Sequence, residues 1–260
     1  MIRKAGWLGI GMGLMAWSLA GWAAEESTGG APMKPNTEYV IKQAPATPSL
    51  KGQWDEQAWK DANMLTLGYW HGKGSDHHPG VRAKLTYTDQ GLYVFFHVAD
   101  KYVRSTCTNY QSGVCRDSCA EFFVQPKADK GYFNFEINCG GTMLLYYIED
   151  PTSEKGGFKK YGEVPYDLGQ TVQIYHSMPE VVDPEISKDT EWVIEYFIPF
   201  ELFAHYVGPL GKMAGQVWRA NFYKCADQTS HPHWASWAPL PADFKGGFHR
   251  PDFFAPIRFE

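Results

Sequence analysis

Residues 114–126 read VCRDSCAEFFVQP and crowd Cys115, Arg116, Asp117, Cys119 and Glu121 onto the head of an apolar stretch. Three kinds of chemistry suit that set: a carboxylate pair for acid–base work on glycosidic bonds, a sulfur-centred metal or redox site, or a wall that grips a polar ligand. On a strand, Asp117 and Glu121 stand about 13 Å apart at roughly 3.3 Å per residue. A retaining glycosidase pair needs about 5 Å and an inverting pair about 6.5–9.5 Å. Those two are therefore no such pair, although Glu121 comes closer to Glu136 across a hairpin. No G-x-S-x-G, Walker-type or H-E-x-x-H sequence occurs. None of the five cysteines stands in C-x-x-C spacing, which argues against a thioredoxin-like motif, a zinc ribbon and covalent haem. His231 and His233 flank Pro232, with His77, His78 and His249 elsewhere. Two or three imidazoles can bind a transition metal, but this spacing is unspecific and reads as loop histidines. No metal site and no cofactor is expected; structural calcium stays open and haem is disfavoured.

Strands must position these groups. In Tyr132 to Asn138, Phe133, Phe135 and Ile137 occupy one face, and Tyr132, Asn134, Glu136 and Asn138 the other. With Phe122 and Val124 turned to the core, Asp117, Cys119 and Glu121 share the polar side with Glu136 and Asn138. Arg219, Asn221 and Tyr223 repeat the pattern opposite Trp218, Ala220 and Phe222. Three strands with one hydrogen-bond-rich face make a concerted surface. Residues 81–100 form a further hairpin turning at Thr88 to Gly91, and strands are expected at 39–43, 142–148, 171–176, 191–198, 217–224 and 253–259. Only 55–62 and 200–206 read as helices. The fold class is all-β, an antiparallel two-sheet β-sandwich of jelly-roll-like form with one or two short helices.

Arg3 and Lys4 precede an apolar run from Trp7 to Ala20, and small residues follow at Gly21, Ala23 and Ala24. This is the layout of a signal peptide, residues 1–23; the run falls short of the roughly 20 residues of a membrane span. Residues 24–49 read as a flexible lead-in and 50–260 as one β domain. Loss of Arg3 and Lys4 takes the net charge of −5 down by two to −7, and no basic block exists, which excludes nucleic acid as a partner. A soluble monomer in the periplasm or outside the cell is expected, without stable membrane insertion. Export permits disulfides. Strand parity and loop position favour Cys107–Cys115 and Cys119–Cys225, with Cys139 buried and free.

The chain resembles the family 9 carbohydrate-binding module over nearly all of residues 50–260. The ordered pieces are GQWDEQAW, LTYTDQGLYVFFHVAD, DSCAEFF, YFNFEIN, WVIEYFIPFELF, GQVWRANFYK, SWAP and FHRPDFFAPIRF. The resemblance implies a sandwich that binds sugars, with two aromatics enclosing a terminal sugar and charged or amide groups on its hydroxyls. The family's glutamate matches Glu121, and Glu136 stands where sugar-binding members can carry arginine. Asn221 and Tyr223 match its amide-bearing strand. One enclosing aromatic falls at Phe248; the other falls at Cys115, so Trp70, Tyr110, Trp234 or Trp237 is expected to replace it. The expected ligand surface comprises Arg116, Asp117, Glu121, Glu136, Asn138, Asn221, Tyr223, Trp234, Trp237, Phe248 and His249. The expected function is non-catalytic binding of glycan or sugar ends in polysaccharide catabolism. The alternatives are a glycoside hydrolase using Glu121 and Glu136, and a periplasmic haem-binding or electron-transfer sandwich.

Overall fold

Alternation of apolar and polar side chains fixes which face of each strand meets the core. The structure, a computed structural model, describes residues 38–154, 157–241 and 247–260. Its strands begin with β1 (Tyr39–Gln43), β2 (Met64–Thr66), β3 (Tyr69–Trp70), β4 (Gly80–Tyr87) and β5 (Gly91–Ser105). Next come β6 (Cys119–Gln125), β7 (Tyr132–Asn138), β8 (Met143–Glu154), β9 (Gly157–Glu163) and β10 (Gln173–His176). The last are β11 (Val182–Pro199), β12 (Val217–Cys225), β13 (Trp234–Ser236) and β14 (Ala255–Phe259). Two α-helices are described, α1 (Tyr166–Gly169) and α2 (Phe200–Val207).

One sheet runs β10-β11-β5-β4-β1 and the other β1-β14-β12-β6-β7-β8-β9. β1 belongs to both. Tyr39, Val40 and Ile41 pair parallel with Ile257, Arg258 and Phe259, then Lys42 and Gln43 pair parallel with Thr86 and Tyr87. The remaining pairings are antiparallel. The strand expected at 39–43 within the lead-in is β1, which joins the two sheets. The expected signal segment and residues 24–37 of the lead-in lie outside the described residues.

Between the sheets, Val94, Phe96, Trp192, Ile194 and Tyr196 meet Phe122, Phe135, Trp218 and Phe222. Ring centroids of Phe96 and Phe222 are 5.9 Å apart, and those of Phe135 and Tyr196 6.5 Å. α2 closes one end by setting Phe203 against Phe133 and Trp218, each at 5.2 Å. The helix expected at 55–62 is only one 3-10 turn, Gln57–Trp59. Trp54 and Trp59 both pack on Phe95, at 5.0 and 5.3 Å. An α-helix would put positions five apart about 140° round its axis. The buried Glu195 fixes this cover by accepting from Trp59 Nε1 at 2.9 Å and Gly52 N at 2.8 Å. β9, mostly exposed and rich in Lys and Gly, was not expected because its sequence lacks alternation.

The same parity that puts Phe222 in the core puts Lys224 there, fully buried. Its ammonium donates to Cys225 O and His233 Nε2, both at 2.9 Å, and lies 3.5 Å from Asp100 Oδ2. His77 Nε2 meets Asp100 Oδ1 at 2.8 Å. His233 lies in the loop before β13, as expected, but it is buried there as an acceptor for Lys224, and its Nδ1 donates to His231 O. Desolvation would raise Asp100, but Lys224 and the His77 hydrogen bond outweigh it and hold the carboxyl well below its usual range. Desolvation and the Lys224 charge lower His233 to about 3, which keeps the imidazole neutral.

Removing one member of a buried pair leaves the other charge uncompensated. Lys224→Met should therefore cost about 3–5 kcal/mol in urea unfolding, and the double change Lys224→Met, Asp100→Leu should recover most of that. A double variant no more stable than Lys224→Met would show that the two charges are not coupled.

Candidate functional site

The outer face of the second sheet carries Cys119, Glu121 and Phe123 on β6, Asn134, Glu136 and Asn138 on β7, and Tyr223 and Cys225 on β12. Register sets Glu121 opposite both Glu136 and Tyr223, and Cys119 opposite both Asn138 and Cys225. Loops close over this face. β13 pairs with the end of β12, so Trp234 lies opposite Cys225. β3 pairs with β13 and delivers His71, whose N donates to Trp234 O at 2.8 Å. The chain after β12 clamps the loop before β6: Asp227 N and Gln228 N donate to Cys115 O and Arg116 O at 3.0 and 2.9 Å.

The result is a cavity of about 340 Å³, at the small end of ligand sites. Glu121, Phe123, Glu136 and Cys225 form its floor, and Cys115, Asp227 and Trp234 one wall. His71, Lys73, Gly247, Phe248 and His249 complete the lining. Trp234 Nε1 donates to Asp227 Oδ1 at 2.6 Å, which fixes the indole. Phe248 stacks on Tyr223 at 4.1 Å with 9° between planes, and Tyr223 OH donates to Phe248 O at 3.2 Å. A loop phenyl is thereby held as a rigid side of the cavity.

The floor carboxyls are only 2% and 6% exposed for Glu121 and Glu136 respectively. Glu136 Oε1 accepts from Asn134 Nδ2 at 2.8 Å, while Glu121 meets the Cys225 thiol. Burial, then repulsion from Glu136, raises Glu121 well above the usual carboxyl range; burial also raises Glu136. His249 Nε2 is 3.9 Å from Glu136 Oε1, its Nδ1 is 3.0 Å from Tyr132 OH, and desolvation lowers it toward the neutral form. Burial and the neighbouring carboxylates push the Cys115 thiol up, away from a reactive thiolate.

Among the expected ligand residues, Glu121, Glu136, Trp234, Phe248 and His249 line this cavity and the others do not. Asp117, fully buried, accepts from Thr106 N, Cys107 N and Asn138 Nδ2 at 2.8–2.9 Å, so Asp117 and Asn138 tie a loop to the sheet. Asn221 Oδ1 accepts from Phe222 N and Ala238 N, both at 2.9 Å, and holds the chain after β13. Arg116 is exposed and donates to Gly113 O. Tyr223 backs Phe248 from below, and Trp237 packs in the core on Tyr39 and Phe222. The expected disulfides are not formed; all five cysteines are free thiols. Cys107 donates to Gly113 O while Cys115 turns to the cavity, and the adjacent Cys119 and Cys225 engage Ala120 O and Glu121. Among the described residues, no group of three or more His, Cys, Asp or Glu side chains is arranged to hold a metal.

A sequence profile of carbohydrate-binding family 9 matches residues 55–259. The chain belongs to that family. A proposed carbohydrate-binding protein from Bacteroides uniformis, 25% identical, superposes with a TM-score of 0.72 over 86% of this chain and 99% of its own. A family 9 module from Caldicellulosiruptor kristjanssonii in complex with cellotriose gives 0.53 at 15% identity, over 86% and 94% of the two chains. A family 9 module from the same organism in complex with glucose gives 0.50 at 13% identity, over 86% and 96%. The last two show the fold alone. No curated protein matches the chain.

At the two family 9 positions expected to enclose a sugar, Cys115 and Phe248 both line the cavity, and so does Trp234. Trp70 stacks on His78 instead, and Tyr110 OH is tied to Val164 O. Sequence reading did not assign His71, Lys73, Phe123 or Asp227 to a ligand site. Parity could have found Phe123, which follows Glu121 on the outer face of β6, whereas Asp227 lies past the end of β12. His71 and Lys73 follow a two-residue strand that leaves no periodic signal.

The folded protein holds protons on Glu121 and Glu136 that the unfolded chain releases. Their stabilising contribution is complete below the unfolded carboxyl range and is lost as pH rises through the raised folded values. From about pH 5 to about pH 8, denaturant melts should show stability falling in the wild type relative to Glu121→Gln, Glu136→Gln. Parallel curves would mean that both carboxyls titrate normally.

Proposed function

We propose that this chain is an exported, non-catalytic binding module that takes the terminal unit of a glycan into the cavity on its second sheet, in the service of polysaccharide breakdown. The observation that carries this reading is the meeting of aromatic side chains, Trp234, Phe123 and Phe248, with two buried carboxyls in one cavity. A pyranose has apolar C–H faces that stack on aromatic rings and a hydroxyl rim that needs fixed acceptors and donors. Family membership and the cellotriose and glucose complexes of the Caldicellulosiruptor modules support a sugar as the ligand class. The signal-like start, Arg3 and Lys4 before an apolar run, supports export.

The register of Glu121 and Glu136 favours a second reading, a retaining hydrolase. Directly opposed cross-strand residues have Cβ atoms about 4.5–5.5 Å apart, near the separation of about 5 Å in a retaining pair. Such a mechanism needs one ionised nucleophile beside a protonated acid, and the family that the chain belongs to is described as carbohydrate-binding. Binding without turnover is the better fit.

Calorimetric titration with cello-oligosaccharides tests the site. Trp234→Ala and Phe248→Ala should each weaken binding by about tenfold or more, the scale of an aromatic anchor. Arg116→Ala, outside the cavity, should leave affinity unchanged. Release of sugar from aryl glycosides by the wild type, abolished in Glu121→Gln, would establish the hydrolase instead.

A further inference from the structure

The composition of the cavity floor bears on which sugars it takes, given that the cavity is a carbohydrate site as proposed above. Two carboxyls, Glu121 and Glu136, face each other in register with almost no exposure, and Asp227 adds a third at the wall. Glu121 meets the Cys225 thiol, and repulsion from Glu136 adds to the effect of its burial. Opposing positive charge is sparse. Among the described lining residues no arginine occurs, and Lys73 is exposed at the rim. His249 lies 3.9 Å from Glu136, and desolvation keeps it neutral. The floor therefore holds two buried carboxyls and, among the described lining residues, no lysine or arginine except Lys73 at the rim.

We propose that the preferred ligand is an amino sugar, a glycan end bearing an unsubstituted amine that sits between Glu121 and Glu136. An ammonium group has three donors and no acceptor, so on binding it can displace the protons that burial keeps on Glu121 and Glu136 and bridge the resulting carboxylates with charge-assisted hydrogen bonds. Trp234, Phe123 and Phe248 suit the same group, since aromatic faces attract a partly desolvated cation. A uronic acid would bring a negative charge to buried carboxyls that offer it no lysine or arginine at the floor, and is disfavoured. An acetylated amine has lost its charge and two of its donors, so it should bind no better than the plain sugar.

Titration of the wild type with glucosamine, N-acetylglucosamine, glucose, glucuronate and lysine amide at one ionic strength tests this. Glucosamine should bind about tenfold or more tighter than glucose, the scale of a charge-assisted bond. N-acetylglucosamine should match glucose, and glucuronate should not compete. Glu136→Gln and Glu121→Gln, each confirmed folded by thermal melt, should reduce the ratio of glucosamine to glucose affinity toward one. Glucose binding as tightly as glucosamine would overturn the amine preference while leaving the carbohydrate site intact. No binding of any sugar by the folded protein would overturn both readings. Lysine amide binding more tightly than glucosamine would overturn the sugar part. Where a glutamine variant fails to fold, the wild-type series alone decides.

Discussion

Successive side chains of a strand point to opposite faces, and a shift of register by one residue exchanges every one of them. In β6, β7 and β12 this rule leaves no freedom. Phe122, Phe135 and Phe222 fill the space between the sheets, so Glu121, Glu136 and Tyr223 must stand on the outer face. A slip of one residue would bury two carboxyls among phenyl rings and turn three phenylalanines to water. The sandwich and the floor of the cavity are consequences of a single pairing register.

The molecule treats its buried charges in two ways. Between the sheets, Lys224 and Asp100 face each other with His77 and His233 on their remaining atoms. That group is closed on itself and holds β12 of one sheet to β5 of the other. On the outer face, Glu121 and Glu136 are set side by side. A fold selected for stability alone would have paired them or replaced them with apolar groups. Local rules broken without a compensating partner cluster at binding sites, and this floor is such a place.

Much of this was legible in the sequence because strand parity is a strong signal. The bounds of β1, the two faces of β7 and the opposition of Glu121 to Glu136 could all be read from spacing. Asp117, Asn138 and Asn221 looked like ligand contacts for a sound reason, since short polar side chains on a concerted face usually mean recognition. Their true partners are backbone groups of loops, which no strand pattern reveals. The cavity's cover was equally silent. β3 and β13 are too short for periodicity, and His71 and Trp234 meet only because those strands pair. The cysteines mislead through proximity, for Cys119 and Cys225 do stand side by side yet remain thiols.

β1 also has a mechanical meaning. It runs parallel to β14, with Tyr39 beside Ile257 and Ile41 beside Phe259. Glu260 N extends the ladder to Ile41 O, and Arg258 pairs with Glu38. A force that draws residue 38 and residue 260 apart acts along these strands in opposite directions. The hydrogen bonds of the ladder then share the load in shear and must break together, where an antiparallel hairpin pulled at its open end would unzip one bond at a time. A module tethered at both ends of this domain would resist tension through the strand that joins its two sheets.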